Sequence, residues 1–233
     1  MWQIRNGLVS SNAPYAGASA VPFSLTDVHE AVDTTTQTTY TFNSVNFGTA
    51  DSSRVLALCI MTRNSAGTQA VSSVGFPGAI PGIVGPNIHN VNATRSEIWY
   101  ANVPTGTSGT VTVTMAGANQ RCAIQLYSIL SPSSVAPTTT ATNTTNGTVT
   151  SGSLSIPAGG ASIMCCYTLT GGPATPTGSP AGFDNVAFNN NITGTQQVWS
   201  IYSTAGAVTG TQTLTSTFTG STSNAACFAV WGP

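Results

Sequence analysis

The chain has 233 residues, of which five are arginine, none is lysine and six are acidic, which gives a formal net charge of −1. Charged residues make up 5% of the sequence, against about 25% in an ordinary soluble domain. Nucleic-acid binding is therefore not expected, because a phosphate backbone is bound by clustered cations. No apolar run reaches the roughly 18 residues that a spanning helix needs, so we also expect no membrane span.

The first 36 residues differ from the rest and predict an N-terminal arm, residues 1–36. Asn6-Gly7 lies between two short alternating runs, which is a strong signal for a β-hairpin. Farther along, Asp27 after Thr26 could begin a single helical turn. We expect the arm to dock onto a neighbouring subunit; a disordered leader is the alternative. Apolar side chains near its start would be the assembly anchors: Trp2, Ile4, Leu8 and Val9.

The remaining sequence, 37–233, is typical of β-strands and divides into two similar halves, 37–131 and 147–233. Each half has one continuous apolar run, as in a central strand covered on both faces, and one loop rich in proline and glycine. Each half ends on a tryptophan strand, an alternating threonine strand and a cysteine strand. This order matches Trp99 with Trp199 and Cys122 with Cys227.

Two architectures fit two halves of about five strands each. The halves could be tandem sandwiches joined near residue 140, or both could contribute strands to both sheets of one sandwich. One apolar run in each half is little for an independent core, which favours the single sandwich. The predicted fold is an all-β, antiparallel, jelly-roll-like β-sandwich of about ten strands with an N-terminal arm.

The stretch 97–114 contains the most characteristic phrase of the chain. It has a Glu-aliphatic-Trp-Tyr strand at 97–100, a Pro-Thr-Gly turn at 104–106 and alternating Thr and Val at 110–114. With the segments around it, this phrase resembles a group of jelly-roll β-sandwich modules that occur in phage structural proteins and in large bacterial surface proteins. The resemblance covers 38–233 and implies a fold without shared catalytic residues. The few acidic loop residues argue against the calcium-stabilised loops that such sandwiches often have.

All five cysteines lie in apolar, strand-like runs: Cys59, Cys122, Cys165, Cys166 and Cys227. Free buried cysteine behaves as a small hydrophobic residue, and none of the five has metal-ligand spacing. We therefore expect reduced thiols in the core. The alternative is a disulfide between facing strands, joining Cys59 to Cys122 or Cys166 to Cys227.

The titratable residues are too few for a common catalytic site. His29 lies in the predicted arm and His89 in a loop, where a surface role is expected. The sequence lacks a nucleophile elbow, a His-Glu-x-x-His motif and a P-loop. Glu97 is expected to pair with Arg95 or Arg121 at a sheet edge. We expect no enzyme, no cofactor and no metal. The acidic residues outside the arm are Asp51, Glu97 and Asp184.

The expected function is that of a structural protein in a tailed-phage virion, either a capsid decoration or a component of the tail, collar or fibre. This expectation depends on the resemblance, the uncharged hydroxyl-rich surface, the arm and a start without the pattern of a secretory signal. Partners would be other virion proteins, bound through the arm, and further copies in a homo-oligomer. The protein would work in the extracellular particle after synthesis in the host cytoplasm.

The alternative function is a carbohydrate-binding or adhesion module that recognises a host-surface glycan. Trp99 and Trp199 would stack on sugar rings, and Asp184 would supply hydrogen bonds. The competing role for large aromatic residues at alternate strand positions is to fill the core.

Overall fold

The structure is a computed structural model that describes residues 21–90, 93–170, 175–192, 195–218 and 221–233. Within these ranges seventeen β-strands occur, and every strand pair is antiparallel. The all-β, antiparallel prediction is confirmed, whereas the expected count of about ten strands is too low. In the same ranges no helix is long and apolar enough to cross a membrane.

The first half forms two facing sheets. Five strands form an inner sheet in the order β1-β9-β3-β7-β6, and four form an outer sheet in the order β2-β8-β4-β5. Their bounds are β1 (Ser24–Asp33), β2 (Gln37–Asn46), β3 (Val55–Arg63), β4 (Val71–Phe76), β5 (Ile80–Pro81), β6 (Ile83–Asn90), β7 (Thr94–Asn102), β8 (Ser108–Asn119) and β9 (Arg121–Leu130).

The second half repeats this plan. Its inner sheet has the order β10-β17-β12-β15-β14 and its outer sheet the order β11-β16-β13. The bounds are β10 (Thr139–Asn143), β11 (Thr148–Ile156), β12 (Ala161–Thr170), β13 (Thr177–Ser179), β14 (Asn185–Asn191), β15 (Gln196–Tyr202), β16 (Gly210–Thr217) and β17 (Ser221–Trp231). In chain order each strand takes the place of its counterpart in the first half, and among the described strands only β5 lacks an equivalent.

Each described sheet draws its strands from one half, so the prediction of a single shared sandwich is wrong. The halves are tandem sandwiches, stacked as outer, inner, inner and outer sheets with three apolar cores between them. Strand β3 shows how a half with one continuous apolar run buries both faces of its inner sheet. Val55, Ala57 and Cys59 face the second half, while Leu56 and Leu58 face the outer sheet. Each inner sheet is thus covered on both faces, as its continuous apolar runs require.

The inner sheets pack on each other in reversed order. Strand β6 contacts β10 and β17, and β7 contacts β17 and β12. The sheets approach closely at Ser96, whose hydroxyl donates to Ala225 O at 2.7 Å and accepts from Tyr167 N at 3.1 Å. On the opposite side, the hydroxyl of Tyr127 on β9 is hydrogen-bonded to that of Ser200 on β15. Direct hydrogen bonds between halves tie the two sandwiches together.

The predicted boundary of the arm is wrong, because β1 belongs to the inner sheet. It pairs with β9 from Ser24–Leu130 to Asp33–Cys122, which replaces the expected helical turn. A bulge between Asp27 and His29 breaks the two-residue alternation by which the strand could have been recognised. The assembly anchors of the arm lie outside the described residues: Trp2, Ile4, Leu8 and Val9.

The proline- and glycine-rich segment after β4 was expected to be a loop, yet it forms β5 and β6. Strand β6 lies at the edge of the inner sheet and is irregular between Val84 and Asn87. Edge strands and bulges are where a sheet accepts proline, and Pro86 occupies that irregular position.

Candidate functional site

Glu97, the acid expected to pair with Arg95 or Arg121, is enclosed between the two sheets of the first half and is 2% exposed. Its Oε1 accepts hydrogen bonds from Val71 N at 2.9 Å and from Arg95 Nε at 2.5 Å. Its Oε2 accepts a hydrogen bond from Trp99 Nε1 at 2.8 Å. The predicted ion pair with Arg95 is confirmed, but it is not at a sheet edge, because β7 lies between β3 and β6. Because structural donors bind both oxygens, this carboxylate holds β7 to β4 and is closed to a substrate.

Trp99 and Trp199, the predicted glycan contacts, are buried. They are 6% and 0% exposed, respectively. The Trp199 ring stacks on Phe218 with centroids 4.4 Å apart, and its Nε1 donates to Ser216 Oγ at 3.2 Å. Neither ring presents a face to solvent, so the prediction that they stack on sugars is wrong. Asp184 is exposed before β14, without either tryptophan as a stacking partner, and a glycan site would need other contacts.

The structure also changes which residues of the two halves correspond. Leu58 and Met164 are the fourth residues of β3 and β12, and they pair with Trp99 and Ile201. Two residues along, Ile60 pairs with Glu97 and Cys166 pairs with Trp199. The structural counterpart of Glu97 is therefore Trp199. The predicted match of the two tryptophans is offset by two residues.

The cysteines follow the same pattern. Cys59 and Cys165 occupy equivalent positions on β3 and β12. Cys59 pairs with Gln125, and Cys165 pairs with Cys227. The structural counterpart of Cys227 is thus Gln125, and the predicted match with Cys122 is offset by three residues.

All five cysteines are free and buried. Cys59 and Cys227 lie in the core between the inner sheets, whereas Cys122 and Cys166 lie in the two outer cores. The pairs Cys59–Cys122 and Cys166–Cys227 are therefore separated by an inner sheet, and the alternative disulfides are wrong. Burial raises the pKa of both Cys59 and Cys227. These thiols are poor nucleophiles, because the thiolate is the reactive form.

Arg54 is a fully buried cation that was not among the predicted site residues. Its Nε donates to Val103 O at 2.8 Å, and its Nη2 donates to Thr105 O and Gly106 O at 2.8 Å. Its Nη1 is directed at the loop before β3, where Thr49 O accepts at 2.9 Å. Burial lowers the pKa of Arg54, whereas the negative charge of Asp51 raises it by a smaller amount. Arg54 thereby joins two loops at one end of the first sandwich. The only sequence signal is a charge placed directly before an apolar run.

The two histidines lie on different strands. His29 is on β1, where its Nδ1 accepts a hydrogen bond from Asn46 N at 3.4 Å. Burial lowers the pKa of His29, whereas the negative charge of Asp27 raises it by a smaller amount. His89 is exposed on β6. Across the described ranges, no three His, Cys, Asp or Glu side chains are grouped so that they could hold a metal ion.

One edge of each inner sheet carries exposed apolar side chains. Ile83 and Val84 on β6 are 48% and 50% exposed. Val186, on the equivalent strand β14, is also exposed. The opposite edges are formed by β1 and β10, and we use the term edge strands for β6 and β14 alone. Comparison of the chain with protein-family models, with curated proteins and with solved structures found no match.

Proposed function

We propose that the protein is a non-enzymatic structural protein of a tailed-phage virion, a capsid decoration or a component of the tail, collar or fibre. It docks through its N-terminal segment and presents the two sandwiches outward. The observation that carries this proposal is the chemistry of the edge strands, which contain no charged residue and expose the apolar side chains of Ile83, Val84 and Val186. Each half is proposed to be a jelly roll. Its first strand pairs with its last and most successive strands cross between facing sheets, as two Greek keys do.

Edge strands present unpaired N–H and C=O groups to any neighbouring chain, and proteins commonly protect them with lysine or other charges. Neither β6 nor β14 contains a charged residue. Ile83 and Val84 add apolar area at the same edge. Such strands are suited to burial against further copies in a homo-oligomer or against other virion proteins. A net charge of −1 supports this role, because it opposes close packing of many copies only weakly.

The contact at the edge is tested by a variant with both Ile83→Lys and Val84→Lys. We expect this variant to fold but to be lost from particles, because two cations cannot be buried there without partners. Val135→Lys is the matched control, since Val135 is also an exposed valine but lies between β9 and β10. Incorporation is measured by electrophoresis of purified particles. Equal incorporation of the edge variant and the control would count against the proposed contact.

The N-terminal docking segment is tested by deleting residues 1–20. The larger deletion of 1–36 is unsuitable, because it removes β1 from the inner sheet. We expect the shorter chain to keep its melting temperature and to lose incorporation. In a second chain, residues 1–20 are replaced by a Gly/Ser segment of equal length. This chain shows whether incorporation depends on the sequence of the segment or only on its length. Normal incorporation of both altered chains would overturn docking through this segment.

A further inference from the structure

Two arginines lie side by side at one end of the core between the inner sheets. Arg63 at the end of β3 is the direct cross-strand partner of Arg121 at the start of β9. Both side chains are on the face that carries Met61 and Ala123, which is turned toward the second half. Like charges directly opposite each other in a sheet are destabilising. Their position therefore calls for a compensating group.

Within the described part of the chain, no acidic side chain forms an ion pair with either arginine. Among the described residues the one ion pair joins Arg95 to Glu97. Three buried guanidinium nitrogens have no hydrogen-bond acceptor among the residues that the structure describes: Arg63 Nε, Arg121 Nε and Arg121 Nη1. Arg54 differs, because all three of its guanidinium nitrogens donate to carbonyls. A buried donor without an acceptor costs about 1–3 kcal/mol, so these two side chains hold unused binding capacity.

The residue of the second half that lies near the two arginines is an uncharged tyrosine. Burial raises the pKa of Tyr167 on β12, whereas the charges of Arg121 and Arg63 and a hydrogen bond with Arg121 oppose this effect. Its hydroxyl donates to Gln196 Oε1 at 2.9 Å. The nearest acid along the sheet, Asp33, pairs with Cys122 and is directed at the outer sheet, where it accepts from Gln37 Nε2 at 2.7 Å. Both arginine side chains keep partial exposure, so a ligand can reach them from solvent.

We infer that Arg63 and Arg121 form a binding site for an oxyanion, the carboxylate or phosphate group of a small ligand, at the end of the interface between the two sandwiches. Each guanidinium is a planar fork that matches two oxygens of such a group. One bound oxyanion would accept hydrogen bonds from both side chains and would neutralise their repulsion. The inference does not depend on the proposed assembly, because the site lies away from the edge strands in the same chain.

Binding is tested on the full chain by thermal unfolding in inorganic phosphate and in chloride at equal ionic strength, which removes general screening from the comparison. We expect phosphate to raise the melting temperature above its value in chloride. Titration calorimetry should give a phosphate Kd that rises about tenfold or more in Arg63→Gln and in Arg121→Gln. Without the anion, both variants should melt no lower than the native chain, because the repulsion is removed.

Arg95→Gln is the matched control, since Arg95 already has a carboxylate partner. This variant should keep the native phosphate affinity even if it melts lower. Glucuronate provides a carboxylate arm beside phosphate, and the tighter ligand identifies the source of the oxyanion. Equal melting temperatures in phosphate, glucuronate and chloride would overturn the site, and so would an unchanged affinity in both arginine variants. The comparison of anions on the native chain stands even if a variant fails to fold.

Discussion

The two sandwiches share a strand order but stabilise equivalent positions with different chemistry. Where the first half places Glu97, bound to Arg95 and Trp99, the second places Trp199, stacked on Phe218. The turn before the central strand ends on Arg54 in one half and on Gly160 in the other, and each N–H donates to the carbonyl three residues before it. The shared topology therefore depends on strand alternation and order, which tolerate an ionic network or a ring stack at the same position.

The largest effect is expected from removing the ring stack of the second half. Trp199→Ala should lower the free energy of unfolding by about 3–5 kcal/mol, because it leaves a cavity in a fully packed core. Urea unfolding followed by circular dichroism measures the change. Trp199→Phe is the control that keeps a ring and should lose less than Trp199→Ala. A loss below about 1 kcal/mol in the alanine variant would show that the stack is dispensable.

Arg54→Met tests the contribution of the buried cation in the first half. We expect a loss of about 2–4 kcal/mol, because several loop carbonyls lose their donor together. Arg54→Lys keeps the charge without the planar fork and should recover only part of this loss. The same urea measurement applies to both variants. Native stability in the methionine variant would mean that water replaces the guanidinium at no cost.

Glu97→Gln tests the polar network that stands opposite Trp199. The expected loss is about 1–2 kcal/mol, because hydrogen bonds to charged groups become neutral. A double-mutant cycle with Arg95→Met isolates the ion pair, and we expect a coupling energy of about 1 kcal/mol. Additive losses, measured by urea unfolding, would show that the buried carboxylate is stabilised by Trp99 and Val71 alone.

The smallest effect is expected from Asp27→Asn on β1. Burial raises the pKa of Asp27, although Gln125 and His29 lower it. The folded protein therefore binds this proton more tightly than the unfolded chain. Stability is lost as the pH rises from the ordinary value of 3.8 through the raised one. At neutral pH the variant should be more stable by less than about 0.5 kcal/mol. The difference should vanish below pH 3.8. A variant less stable than the native chain at neutral pH would contradict this sign.

Strand content and the division into halves could be predicted, because alternation and apolar runs are local properties of the sequence. The choice between a shared and a tandem arrangement could not. The run that contains Leu58 and Cys59 is apolar on both faces in either case, and only the structure shows that the second face meets the other half. Strand β1 was missed because a bulge interrupts its alternation. The tryptophans were misassigned because burial and stacking on sugars require the same side chain.

The reversed packing of the inner sheets gives the chain the form of a homodimer whose subunits are covalently fused. In a true homodimer every substitution occurs twice, and both copies must tolerate it. A fused pair is released from that requirement, so its two faces can become different. Arg63 and Arg121 illustrate this freedom, because the counterparts of this pair in the second half are Leu169 and Ser223. Fusion thus allows a charged group on one partner without imposing the same charge on the other.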